Sequence, residues 1–201
     1  MTFRFLVLGD SLAFGTGADS PEHTLGARLT RTLEQAGETV ELQVVAVPGA
    51  TSLDLAAQVR RAAGADVALL VIGANDLTHQ LPPAQAAAAL GAAVAELGEC
   101  GTQVLVVPTP DLSSVAWVPS AFRAAVAGIC DQLRARQTVA AEAAGAVVAP
   151  VAAELFRRFA AEPALFSADR FHPSSAGYAL VAEALAAPLL QLAAERRDAA
   201  A

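Results

Sequence analysis

Apolar residues fall along this chain in two alternating textures. Short, near-continuous runs recur at Phe3–Leu8, Leu42–Val47, Val67–Ile72, Val104–Val107 and Ala146–Ala149. Strands buried on both faces read this way, because both sets of alternating side chains must then be apolar, as in a parallel sheet. Between the runs, apolar positions recur every three or four residues. The stripes are Leu25, Leu29 and Leu33; Leu55 and Val59; Leu90, Val94 and Leu97; Phe122, Val126, Ile129 and Leu133; and Val181, Leu185 and Leu189. That spacing puts each set on one helix face. Gly37, Gly64, Gly101 and Gly145 each stand between a helical stretch and a strand, where a left-handed cap is expected. Ser20-Pro21 and His172-Pro173 read as a cap followed by the first helical residue. Alternating strands and helices predict an α/β fold, a three-layer α/β/α sandwich around a central five-stranded parallel sheet.

No linker, repeat or charge block divides the 201 residues, so one domain spanning 1–201 is expected. The small, polar tail beyond about residue 192 is expected to fray. The chain is 55% hydrophobic and 16% charged, a globular composition. Its net charge of −7 and lack of any lysine leave no basic stripe for nucleic acid, and an anionic membrane surface is disfavoured for the same reason. No secretory leader precedes Phe3, and no uninterrupted apolar run reaches bilayer length. The expectation is a soluble, cytoplasmic protein with no membrane anchor and a monomer by default. Cys100 and Cys130 lack metal-ligand spacing. Cys130 falls on the Phe122 stripe and reads as a small buried hydrophobe, Cys100 as a residue at a helix end; both are expected to be free thiols.

Four short motifs change the picture. Gly9-Asp10-Ser11-Leu12, Pro48-Gly49-Ala50-Thr51 and Gly73-Ala74-Asn75-Asp76 each follow a predicted strand, and Asp169-Arg170-Phe171-His172-Pro173 lies near the end. In an open parallel sheet, ligands bind outside the carboxyl ends of the strands, so three sequence-distant motifs converge on one edge. A serine needs a base to become a nucleophile. His172 is the best placed of three histidines. Asp169, three residues earlier, can orient its ring. The backbone N–H groups of Ser11 and Gly49 and the amide of Asn75 supply oxyanion donors. Asp10 and Asp76 read as braces of their own turns, and His23 and His79 as bystanders, with a minor substrate contact open to His79. Phe14, Leu81 and Trp117, with Val115 and Val118, are candidates for the wall of a substrate pocket.

These four blocks resemble the SGNH/GDSL hydrolase family over about residues 3–190. The resemblance implies a flavodoxin-like sandwich that hydrolyses esters or thioesters with no metal and no cofactor. It implies Ser11 as nucleophile, His172 as base, Asp169 as its partner, and Gly49 and Asn75 in the oxyanion hole. One departure stands out: the family's second block often carries asparagine before the glycine, and Ala46 occupies that neighbourhood here. The expected substrate is a small-molecule ester or thioester of small to medium acyl chain. A carbohydrate O-deacetylase of the same family and a non-catalytic flavodoxin-like binding module are the alternatives. The phosphate-cradling glycine loops of nucleotide binders are absent after the first strand, as is the GxSxG of the α/β-hydrolases.

Overall fold

The computed structural model describes residues 2–150 and 153–200. Five strands, β1 (Thr2–Gly9), β2 (Thr39–Val44), β3 (Val67–Val71), β4 (Gln103–Val107) and β5 (Val147–Val148), form one parallel sheet in the order β2-β1-β3-β4-β5. This is the flavodoxin-like doubly wound order, which leaves a crevice at the carboxyl edge where successive connections leave in opposite directions. The helices are α1 (Ser11–Phe14), α2 (Leu25–Gln35), α3 (Leu55–Arg61), α4 (Ala74–Thr78), α5 (Pro83–Glu99), α6 (Arg123–Ala143), α7 (Ala153–Ala161) and α8 (Ser175–Ala200).

The near-continuous apolar runs resolve into two alternating sets. Phe3, Phe5 and Val7 of β1 and Val67, Leu69 and Val71 of β3 pack with Leu25, Leu29 and Leu33 of α2 and with Tyr178, Leu185 and Leu189 of α8. Leu6, Leu8, Ala68 and Leu70 point the other way, onto Leu55 and Val59 of α3, Leu90 and Val94 of α5 and Ala141 of α6. Two cores therefore flank the sheet, as the three-layer expectation requires. Burial on both faces holds for the central strands but not for the edges. β2 alternates exposed and half-buried residues and begins three residues before its apolar run. Val45 and Val47 follow it, donating N–H groups to Val7 and Gly9 (3.0 Å each).

Several local expectations are corrected. On α6 the stripe is rotated: Phe122 and Ile129 are exposed, while Cys130, Leu133, Gln137 and Ala141 are buried. A buried glutamine hid that face from a hydrophobicity reading. α8 starts at Ser175, and its cap is Ser174, whose Oγ accepts the N–H of Gly177 at 3.2 Å, so His172-Pro173 lies before the helix. Ser20-Pro21 opens only a single turn, Pro21–His23, and Thr24 caps α2. Gly37, Gly101 and Gly145 take positive φ, but α3 ends in extended backbone at Ala62 and Gly64 needs no left-handed conformation. Cys100 is exposed and Cys130 buried, both free.

α8 is long and apolar enough, by length and composition, to cross a membrane, which the lengths of uninterrupted apolar runs did not suggest. In this fold Tyr178, Ala182, Leu185, Leu189, Leu192 and Ala193 bury one side of it against the sheet. Its far end is tied down by Arg196 to Asp66 (3.3 Å) and Arg197 to Glu38 (2.7 Å).

Candidate active site

The site begins with a backbone requirement at the end of β1. Gly9 has φ 131°, and a Cβ there would lie 1.8 Å from the Val71 carbonyl oxygen, so only glycine lets β1 end this close to β3. Asp10 then caps α1, its Oδ1 accepting the Leu12 N–H at 2.9 Å. Ser11 is thereby fixed as the first residue of α1, at the carboxyl edge of the sheet and 7% exposed.

His172 arrives on a tight turn. The Ser167 N–H donates to the His172 carbonyl at 2.8 Å, and Arg170 adopts φ 57°. Asp169 organises this turn from within. Its Oδ1 accepts from the Ser167 hydroxyl (2.8 Å) and from the N–H groups of Phe171 (2.8 Å) and His172 (2.9 Å). Its Oδ2 lies 2.7 Å from His172 Nδ1. Burial works against ionising this carboxyl, but the hydrogen bonds from the His172 ring, the two N–H groups and Ser167 outweigh it and hold the group far below the usual carboxylate range. An ionised acceptor at Nδ1 keeps the ring proton there. Nε2 is then an acceptor, 2.9 Å from Ser11 Oγ.

The other two motifs meet across the crevice. Asn75 stands in α4 directly after β3 and donates its side-chain N–H to the Ala50 carbonyl at 3.0 Å, bracing the loop that carries Gly49. Gly49 is exposed with φ 86°. Ala46, the departure from the family pattern, is buried in the core. Asp76 does more than brace its own turn. Fully buried, it accepts the Ser52 N–H (2.7 Å) and hydroxyl (2.6 Å) and so joins the motif after β3 to the loop after β2.

Two buried glutamines complete the scaffold. Gln58 exchanges two 2.8 Å bonds with the backbone of Gly9, and Gln137 accepts the Thr109 N–H and hydroxyl (2.8 Å each) while donating to Ile72 O at 3.2 Å. They bond backbone groups at the carboxyl ends of β1, β3 and β4, beside the site. Neither was singled out from sequence, because glutamine within a helical stretch reads as a solvated residue. Asp10 differs from Asp76: its Oδ2 is buried without a hydrogen-bond partner among the described residues. Burial, seconded by the nearby Asp76 carboxylate, pushes Asp10 up to about 7 against the opposing N–H of Leu12.

An apolar cavity of about 110 Å³ opens beside Ser11. Its lining includes Leu12, Val115 and Phe171 and, from α7, Leu155, Phe156 and Phe159. Of the wall candidates only Val115 is among its lining residues. Phe14, Leu81 and Trp117 are not. Trp117 is exposed and stacks on Phe171 with ring centroids 4.9 Å apart, and Phe171 meets the His172 ring edge-on at 4.9 Å. Trp117 thus bears on the site only through Phe171, which lines the cavity and meets the His172 ring. The sequence reading missed α7, although Leu155, Phe156 and Phe159 carry a helical spacing that signals an apolar face. His23 pairs with Asp19 (2.5 Å), and His79 bonds back to Asn75 O (2.9 Å), which leaves His172 as the histidine at Ser11.

A doubly wound sheet with a serine at the end of its first strand, facing an imidazole from the last loop, defines the flavodoxin-like class of hydrolase folds. Within that class the chain belongs to the GDSL-like lipase/acylhydrolase family, which its residues 7–180 match. It is similar to a GDSL-like esterase of Mycobacterium tuberculosis, Rv1075c, at 37% identity over 97% of this chain, and spans 64% of that relative's length. Among solved structures it superposes on LAE5, an α/β hydrolase from the Lake Arreo metagenome (TM-score 0.74, 20% identity, 96% of this chain and 98% of that one). It also superposes on TesA (TM-score 0.76, 18% identity, 94% and 99%). A third match is Axe2, an acetyl-xylooligosaccharide esterase of Geobacillus (TM-score 0.73, 19% identity, 93% and 94%).

Proposed function

We propose that this protein hydrolyses carboxylic esters or thioesters through an acyl-enzyme on Ser11. The observation that carries the reading is the continuous line Asp169 Oδ2–His172 Nδ1 (2.7 Å) and His172 Nε2–Ser11 Oγ (2.9 Å). His172 takes the hydroxyl proton as Ser11 attacks the acyl carbon, and Asp169 stabilises the imidazolium that forms. The oxyanion is met by the N–H groups of Ser11 and Gly49 and by the second N–H of the Asn75 amide, whose first is committed to Ala50. Collapse expels the alcohol or thiol with the proton from His172. Water, deprotonated by the same ring, then releases the acid.

The cavity speaks for the acyl side. Its walls are almost wholly aliphatic and aromatic, so each buried methylene gains up to ~0.8 kcal/mol. A chain longer than acetyl, in the small to medium range, is the acyl group we propose. A carbohydrate deacetylase has no use for that apolar volume, and a binding module has none for an imidazole oriented onto a serine.

A fluorophosphonate probe tests the reading. Wild-type protein should label on Ser11, and Ser11→Ala should lose labelling and ~10⁴–10⁶ of kcat on p-nitrophenyl butyrate with its fold intact. Near-normal turnover by folded Ser11→Ala would falsify the assignment. A sharp preference for acetate over butyrate and octanoate would favour the deacetylase.

A further inference from the structure

Ser11 and His172 lie 161 residues apart in sequence, and their 2.9 Å contact depends on how separate segments are held together. Residues 15–19 form a strap between them. On one side, the N–H groups of Gly15 and Thr16 both donate to the Ser11 carbonyl (3.0 and 2.9 Å). On the other, the strap is bonded to the first turn of α8. The buried Tyr178 donates its hydroxyl to Thr16 O at 2.8 Å. Ser175 Oγ accepts the Asp19 N–H at 3.0 Å and donates to Asp19 Oδ1 at 2.6 Å. Between these anchors Gly17, at φ 96°, lies flat against the catalytic turn. A Cβ there would come within 2.5 Å of Pro173 O, 3.0 Å of His172 Cβ and 3.1 Å of Ser167 Cβ.

The turn carrying His172 is therefore held from two sides. Asp169 fixes it from within, and the strap presses on its outer surface while gripping the backbone of Ser11. We propose that this strap sets the distance between Ser11 and His172, and that Tyr178 and Ser175 are positioning residues for the base. The proposal rests on the serine-hydrolase reading above. Without the Tyr178 hydroxyl, Thr16 O loses its partner and the strap is free to lift from His172. A misplacement of about 1 Å at a reacting pair costs on the order of 10²-fold in rate.

Tyr178→Phe and Ser175→Ala should each lower kcat on p-nitrophenyl butyrate by ~10-fold or more, with KM within about threefold. The rate of fluorophosphonate labelling should fall in the same proportion. Ser175→Thr, which keeps the hydroxyl, should restore most of the rate. A merely structural role would not give the next result: in a His172→Ala background, Tyr178→Phe should leave the residual rate unchanged, because its effect passes through the missing ring. Full kcat in both Tyr178→Phe and Ser175→Ala, with Ser11→Ala inactive, overturns the proposal. So does an equal loss with and without His172. An active Ser11→Ala would instead overturn the reading on which it rests.

Discussion

Asp169→Asn exchanges one carboxylate oxygen for an amide and separates the tautomer of His172 from the fold of its turn. Three of the four hydrogen bonds to Asp169 go to Oδ1, from Ser167, Phe171 and His172, and an amide oxygen keeps all three. The fourth cannot survive. Oδ2 faces His172 Nδ1 at 2.7 Å, and an NH2 group there would oppose the ring N–H with another donor. The ring must move its proton to Nε2, which then donates to Ser11 Oγ instead of accepting from it. Loss of the correct tautomer in a triad of this kind costs ~10⁴ in kcat, or about 5 kcal/mol of transition-state stabilisation. Because Asp169 stays ionised well into acid pH, the loss should lower the pH–rate profile across the whole range of the assay. The assay is kcat and KM on p-nitrophenyl butyrate from pH 5 to 10, with Tm by differential scanning fluorimetry. Asp169→Asn should keep its Tm, whereas Asp169→Ala, which removes all four bonds, should lose Tm as well as rate. Folded Asp169→Asn with more than a tenth of wild-type kcat would refute the reasoning.

Asn75→Ala removes an oxyanion donor and should lower kcat by about 10²–10³ with a smaller change in KM; an effect confined to KM would assign Asn75 to ground-state binding. Phe159→Ala deletes a ring from the cavity wall and should move the best acyl chain in a p-nitrophenyl ester series to greater length, whereas Trp117→Ala, itself outside the cavity, should change kcat through Phe171 and move the preferred length less. For Asp10 the folded protein holds its proton more tightly than the unfolded chain, so its stabilising contribution is complete below the unfolded value of 3.8 and is lost as pH rises towards about 7. That shift amounts to roughly 4 kcal/mol. The stability of Asp10→Asn relative to wild type, from urea titrations at pH 4 and pH 8, should therefore rise with pH, and a pH-independent difference would show that Asp10 is ionised throughout.

The layered fold was legible because it follows from local patterning. A run such as Val67–Val71 has no polar face, so it can only be a strand covered on both sides, and the glycines after β1 and β3 mark where the chain must turn closely. The motif residues were legible because reactive side chains at strand ends need particular types at particular places. Ser11, Asn75 and His172 all lie at the carboxyl edge, as that argument expects. Where burial is specified by polar partners, the pattern failed. The buried face of α6 contains Gln137, so counting apolar residues rotated the helix towards Phe122 and Ile129. β5 and the run from Leu42 to Val47 at the end of β2 are largely apolar, yet neither edge strand is buried on both faces, because edge position is a property of strand order and not of composition.

By itself, then, the sequence determined the alternation of strand and helix and the identity of the groups available for chemistry, since both depend on short-range periodicity and on residue type. Only the tertiary structure decided that His172 Nε2 comes within 2.9 Å of Ser11, that Asp76 reaches across to Ser52, and that α7 rather than Trp117 lines the cavity. Each of those is a contact between segments distant along the chain. Such contacts arise from the packing of whole elements, and no local pattern encodes which surfaces will meet.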